Sequence, residues 1–384
     1  MKFTTFALLL ALPLGTLAQE APDTATELTS ESAAKLVATT WTKLQQAQKD
    51  TALAELEANK ITLGDKEMRF GVKVFGEAPK GGHSLFISMH GGGNAPAQIN
   101  DQQWKNQIGL YQPKEGIYVA PRAPTNTWNL WHESHIDDFF DRLIANYVLT
   151  GQVNPNKVYL MGYSAGGDGV YQLAPRMADR FAAAAMMAGH PNDASPLGLR
   201  NLPFALYMGG KDAAYDRNKI AAQWGEKLAA LQKEDPKGYT HRVKIYPEFG
   251  HWMNREDAEA LPWMAKFTRN PWPKKVVWVQ SGGHLHQRFY WLEIDPKTAK
   301  KGETITADVS DNQIAITTDN AERKSITVNL HDSLINLDQP VTISVNGKQV
   351  FSDLLVRSPD WINRSLKQRP DPKSAAYAGI ELTW

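Results

Sequence analysis

Val158-Tyr159-Leu160-Met161-Gly162-Tyr163-Ser164-Ala165-Gly166-Gly167 is the stretch on which the reading of this chain turns. Val158 to Met161 is a short apolar run of strand type, and the residues after Gly167 have helical spacing. Between them, Gly162-Tyr163-Ser164-Ala165-Gly166 has the form Gly-x-Ser-x-Gly. Small residues on either side of a serine relieve crowding at a sharp strand-to-helix corner and present the hydroxyl at the helix start. Ser164 is therefore a candidate nucleophile. With 28 glycines in 384 residues, such a pentapeptide arises by chance about once in ten chains, so the surrounding pattern must carry the assignment.

Outward from this corner, residues 68–268 alternate short apolar runs with longer helix-patterned stretches. Arg69 to Phe75, Leu85 to Met89, Ile117 to Ala120, Val158 to Met161, Ala182 to Ala188, Phe204 to Met208 and Val243 to Tyr246 read as strands. Such alternation predicts an α/β fold: a mostly parallel sheet with helices on both faces. Ahead of it, Leu36, Thr40, Leu44, Leu53 and Leu56 recur at helical spacing, so residues 19–67 are expected to hold a helical segment that packs on the core. The texture changes at Arg269-Asn270-Pro271-Trp272-Pro273. From about 275 to 384 the runs are short and several alternate apolar with polar, and Asn346-Gly347 marks a hairpin. A small β-sandwich following a catalytic domain of residues 68–270 is expected there.

The chemistry expected of Ser164 needs three partners. His90-Gly91-Gly92-Gly93 directly follows the strand Leu85 to Met89, where a polyglycine turn lets amides approach a ligand. The amide of Gly91 or Gly92 together with that of Ala165 would make an oxyanion hole. His251, in Phe249-Gly250-His251-Trp252, follows the strand Val243 to Tyr246 and is the one of ten histidines standing just past a late strand in the order serine, acid, histidine. For the acid, Asp212 follows the strand Phe204 to Met208 within a few residues. Asp216 is close enough to compete, and Asp193 stands one strand earlier. Asp168, in the first turn after the corner, suits a helix start.

Trp128-Asn129-Leu130-Trp131-His132 follows the strand Ile117 to Ala120 and should lie near Ser164. Trp128 and Trp131 either stack on a sugar or aromatic group or cover the core beneath a loop. His90, Tyr163, His132 and Trp252 complete the candidate pocket. His284-Leu285-His286 could set two imidazoles on one face of a strand, but no third ligand accompanies them, and surface or interface histidines are the expectation. The connection from Ala188 to Phe204 is about 15 residues, too short for a lid domain, so an open site admitting bulky or polymer-linked esters is expected.

Met1-Lys2, the apolar run Phe6 to Leu12 and the small residues ending at Ala18 read as a secretory signal over residues 1–18. Pro13 and Gly15 cut the run short of the roughly 20 residues a membrane span needs. The chain has no cysteine, which excludes disulfides and thiolate chemistry and fits a bacterial periplasm or extracellular setting. The formal charge of +1 falls to 0 without Lys2, so nucleic acid and anionic membranes are not expected partners. No metal or organic cofactor is required by the residues, and oligomeric state is not legible.

Given Ser164, Asp212, His251 and the His90-Gly91-Gly92-Gly93 turn, residues 68–268 resemble the α/β-hydrolase superfamily. Gly162-Tyr163-Ser164-Ala165-Gly166-Gly167, Gly210-Lys211-Asp212 and Gly250-His251-Trp252 are similar to those of secreted esterases of the polyhydroxybutyrate depolymerase and feruloyl or acetyl-xylan esterase type. The resemblance implies carboxylic ester hydrolysis outside the cytoplasm, often on polymer-linked esters. Many members of that group carry disulfides, and this chain has none. Residues 275–384 lie outside the resemblance and lack the regular aromatic pattern of a carbohydrate-binding module.

Three other readings compete. A peptidase of the prolyl oligopeptidase group shares the triad, but there the β domain precedes the hydrolase domain. A dienelactone-hydrolase-like enzyme fits less well because its usual cysteine is absent. A non-catalytic protein on the same fold would not need nucleophile, acid, base and oxyanion turn in order.

Overall fold

The computed structural model describes residues 27–281 and 284–384, so the expected secretory signal lies outside the described residues. Among those described, no helix is long and apolar enough to cross a membrane.

The amino-terminal segment forms α1 (Ser30–Glu57), capped by Thr29, whose hydroxyl accepts the Ser32 amide at 3.1 Å. Eight strands then build one sheet: β1 (Lys60–Leu63), β2 (Lys66–Phe75), β3 (His83–Met89), β4 (Gly116–Pro121), β5 (Val153–Tyr163), β6 (Ala183–Met187), β7 (Phe204–Gly209) and β8 (His241–Tyr246). Interspersed are α2 (Ala97–Leu110), α3 (His135–Leu149), α4 (Ala165–Arg176), α5 (Arg217–Glu234) and the short α6 (Ala260–Met264). The spatial order is β1-β2-β4-β3-β5-β6-β7-β8. β1 with β2 and β2 with β4 are antiparallel; the remaining pairs are parallel. This is an α/β-hydrolase-type sheet.

Its central strands are continuous apolar runs because both faces are covered. Ile117 and Val119 of β4 join Leu160, Leu206 and residues of α3 and α4 in one core, while Tyr118 and Ala120 join Met161, Tyr207, Leu261 and Met264 in the core on the other face. Successive residues point to opposite faces of a strand, so each strand feeds both cores. The sheet also reaches further back than residue 68. Lys60–Leu63 pairs with Lys66–Arg69 around Gly64, so a hairpin occupies the end of the segment read as helical.

Carboxyl-terminal to Trp272 come β9 (Lys275–Val279), β10 (Arg288–Phe289), β11 (Leu292–Glu293), β12 (Thr304–Ser310), β13 (Gln313–Thr318), β14 (Ser325–Leu330), β15 (Val341–Val345), β16 (Lys348–Asp353), α7 (Pro359–Gln368) and β17 (Ala378–Thr383). They form a five-stranded sheet, β16-β15-β13-β12-β9, and a four-stranded sheet, β10-β11-β14-β17. Ile305, Ala307 and Val309 of β12 are buried while the residues between them face outward, the alternation of a half-covered sheet. The run Phe289 to Ile294 is broken in two: Tyr290 takes φ +54° and folds it back on itself as β10 and β11. Asn346-Gly347 does turn β15 into β16, with both residues at positive φ.

For the site, the adjacency of β5, β6, β7 and β8 matters most. The loops leaving the carboxyl ends of β5, β7 and β8 emerge along one edge of the sheet, where open α/β sheets hold their ligands.

Candidate active site

Ser164 stands between β5 and α4 at φ +59°, ψ −123°, backbone values that L-residues rarely adopt. Its amide donates to the Met187 carbonyl at 2.9 Å, tying the corner to the end of β6, and its carbonyl accepts the Asp168 amide at 3.0 Å. The flanking glycines are there for space. A Cβ on Gly162 would sit 2.3 Å from the Gly166 carbonyl oxygen, and one on Gly166 would sit 2.1 Å from that of Met89. Only bare backbone permits the strand and helix to cross this closely.

Asp212 and His251 arrive from loops that are laced together. Gly210 donates to Tyr246 O at 2.7 Å and Lys211 to Phe249 O at 2.9 Å. His251 Nε2 lies 2.9 Å from Ser164 Oγ, and its Nδ1 lies 2.7 Å from Asp212 Oδ2. With Nδ1–H donated to a carboxylate, Nε2 is left to accept from the serine hydroxyl. Asp212 is 3% exposed. Asp216 points outward to Lys219 at 2.9 Å, and Asp193 accepts from Gln172 and pairs with Lys301. Of the three candidate acids, Asp212 is the one in contact with His251.

The polyglycine turn runs beside Ser164. A Cβ on Gly91 would lie 3.1 Å from Ser164 Cβ. Gly93 donates its amide to Asn100 Oδ1 at 2.9 Å, so it is already engaged. His90 is fully buried and cannot touch a substrate in the cavity. Its Nδ1 donates to Gly91 O at 2.5 Å, its Nε2 accepts the Ala123 amide at 3.2 Å, and burial drives its pKa down to about 4. It is a neutral pin that shapes the turn.

Trp131 is likewise buried, donating its indole N–H to His90 O at 2.8 Å, so it covers the core and does not line the pocket. Tyr163, also buried, donates its hydroxyl to His251 O at 2.6 Å and accepts the Met253 amide at 3.0 Å. His132 packs edge-on behind Trp128, and burial holds its pKa near 4. Trp252 is half exposed beside Tyr163. Trp128, 61% exposed, does line the cavity above Ser164.

That cavity holds about 350 Å³. Besides Ser164, Ala165, Gly92 and Trp128, its wall includes Asp168, His190, Tyr215 and Arg217, none of them among the expected pocket residues. Asp168 Oδ1 accepts the His190 amide at 2.6 Å, and burial pushes its carboxyl up to about 6. Proximity in sequence to Ser164 and Asp212 was the available signal for Asp168 and Arg217; the conformation that sets Arg217 and the exposed Tyr215 along the cavity had none.

His284 and His286 lie in a loop and not on a strand. His286 Nε2 meets Asp137 Oδ1 at 2.9 Å, and Asp137 also pairs with the buried Arg176, so these imidazoles serve a contact between the β-rich part and α3. Among the described residues no group of three or more acidic or imidazole side chains is arranged to hold a metal.

Residues 110–281 match the dienelactone hydrolase family. That segment carries an α/β-hydrolase-type domain. It contains Ser164, Asp212 and His251 and starts after the polyglycine turn. The family that the missing cysteine had set behind the others is thus the one matched, with Ser164 in the nucleophile corner. No curated protein sequence matches the chain. Solved structures similar to it include a thermostable esterase (16% identity, 55% of this chain and 64% of that chain, TM-score 0.40). A ferulic acid esterase aligns at 15% identity over 54% of this chain and 96% of its own, with TM-score 0.38. An acetyl xylan esterase from Aspergillus awamori aligns at 13% over 53% and 97%, with TM-score 0.38. The chain covers less than two thirds, 64%, of the length of the first of these.

Proposed function

We propose that this protein is an extracytoplasmic serine hydrolase that cleaves carboxylic esters through Ser164, His251 and Asp212. The observation that carries the reading is the unbroken chain from Ser164 Oγ to His251 Nε2 (2.9 Å) and from His251 Nδ1 to Asp212 Oδ2 (2.7 Å). His251 takes the serine proton as Oγ adds to the ester carbonyl, and Asp212 stabilises the resulting imidazolium. The oxyanion is received by the amide of Ala165 with that of Gly91 or Gly92, since Gly93 is occupied by Asn100. His251 then protonates the leaving alcohol, and water repeats the sequence on the acyl-enzyme. The exposed Trp128 in the cavity wall suits esters attached to bulky, carbohydrate or polymeric groups. Residues 1–18 and the absence of cysteine support export.

The test compares wild type with Ser164→Ala using a fluorophosphonate probe, short p-nitrophenyl esters and peptide p-nitroanilides. Labelling and ester turnover in wild type alone are expected. Equal labelling of Ser164→Ala would remove Ser164 from the reaction, and amide cleavage far faster than ester cleavage would make the enzyme a peptidase. Immunodetection of the full chain in periplasmic and culture fractions tests export; retention in the cytoplasm would refute it.

A further inference from the structure

Arg217 is placed at the catalytic cavity against several local preferences. It is the first residue of α5, where the helix dipole disfavours a cation. The two residues before it, Tyr215 and Asp216, both hold left-handed backbone at φ +55° and +53° without being glycine. Its side chain is only 15% exposed. Among the described residues, however, its guanidinium donates no hydrogen bond, and Nε is buried without a partner. The ring of Tyr215 lies 4.9 Å from it.

What that arrangement secures is a positive charge behind the triad acid. An Arg217 terminal nitrogen lies 3.7 Å from Asp212 Oδ1, the oxygen not bound to His251. Asp212 is buried, and among the described residues its ion-pair partners are His251 and Arg217. In the resting enzyme His251 must be neutral to accept the serine proton, so at that stage Arg217 is the cation beside a buried carboxylate. Asp168 and His190 line the same cavity and feel the charge of the same guanidinium, while Asp216 turns away to Lys219.

We propose that Arg217 is a positioning residue that holds the Asp212 carboxylate aligned, and thereby sets the orientation and basicity of His251. This rests on the serine-hydrolase reading above. The experiment compares Arg217→Met and Arg217→Lys with wild type on a neutral ester, p-nitrophenyl acetate, and an anionic one, mono-p-nitrophenyl succinate, across pH. Arg217→Met is expected to lose roughly ten-fold or more in kcat on both esters with KM within about two-fold. Losing a nearby cation favours the protonated form of the base, so the acid limb of kcat/KM should move to higher pH. Arg217→Lys should restore most of both. If Arg217→Met does not fold, as judged by its melting curve, Arg217→Gln takes its place.

An unchanged kcat and acid limb in the charge-free variant would overturn the proposal. So would a loss confined to KM for the anionic ester, which would make the guanidinium a reader of substrate charge. Ser164→Ala separates the two levels. If it is inert while Arg217→Met is unimpaired, only this proposal fails; if it turns over ester like wild type, the nucleophile assignment and this proposal fall together.

Discussion

The hydroxyl of Tyr163 donates to the carbonyl of His251 at 2.6 Å, so the residue directly before Ser164 holds the backbone of His251. The same hydroxyl accepts the buried amide of Met253, fixing the loop on both sides of Trp252. Tyr163→Phe leaves a carbonyl and an amide without their partner, which should cost about 1–3 kcal/mol of stability. It should also reduce kcat roughly five- to ten-fold with little change in KM, because His251 loses its fixed approach to Ser164. Chemical denaturation and steady-state kinetics check both effects, and a kcat equal to wild type would show that the loop holds His251 without this hydroxyl.

Asp212→Asn and Asp216→Asn should differ by orders of magnitude. The first replaces the oxygen that accepts from His251 Nδ1 at 2.7 Å and favours the wrong tautomer, for a loss of roughly 10³- to 10⁴-fold in kcat. The second removes an exposed pair with Lys219, a contact worth well under about 1 kcal/mol; its kcat should stay within about two-fold of wild type. Parallel kinetics at fixed pH decide it.

Asp168 makes stability pH-dependent in a direction opposite to that of a paired carboxylate. Its folded pKa, raised by burial to about 6, lies above the ordinary value of 3.8. Well below pH 4 the carboxyl is protonated in both states and nothing is lost. As pH rises from about 4 to 6 the unfolded chain ionises first, so this residue withdraws on the order of 1–3 kcal/mol, and the deficit persists at higher pH. Asp168→Asn keeps an oxygen for the His190 amide and removes the charge. It should raise the melting temperature at pH 7 relative to wild type and leave it nearly unchanged at pH 4; equal shifts at both pH values would contradict the assignment.

The elements that position Ser164, Asp212 and His251 were legible because each rests on a local pattern. Apolar runs of strand length end in glycine-bearing turns, and central parallel strands are predominantly apolar because both faces are covered. Tertiary consequences were not legible. Trp131 and His90 stand in loops that border the cavity, yet they point into the core, and nothing in their spacing reports which way a loop side chain turns. Tyr215 and Asp216 take left-handed backbone without the glycine that would have announced it, which hid Arg217. α7 and β17 were missed for a related reason. Their burial depends on docking to β14 and α1, and β17 shows only a loose alternation of its own.

Arg269 and Asp371 carry the last prediction. Both side chains are 2% exposed and 2.5 Å apart, joining the end of the hydrolase segment to the turn after α7. Arg269 also donates to the carbonyl of Asp179 and to Asn156, and Asp179 in turn pairs with Arg369. Arg369 and Asp371 flank the same turn, so cations and carboxylates alternate across the contact between the β-rich part and the sheet. The Arg269 cation holds the Asp371 carboxyl down at about 2 in spite of its burial. Arg269→Met strands that carboxylate and should destabilise by about 3–5 kcal/mol. Adding Asp371→Leu removes the stranded charge and should recover much of the loss, since a buried ion pair contributes little net stability beyond an apolar pair of similar volume. Equilibrium denaturation of both single variants and the double variant gives the coupling. A double variant no more stable than Arg269→Met would mean that the arginine's hydrogen bonds to Asp179 and Asn156, and not its charge on Asp371, hold the two parts together.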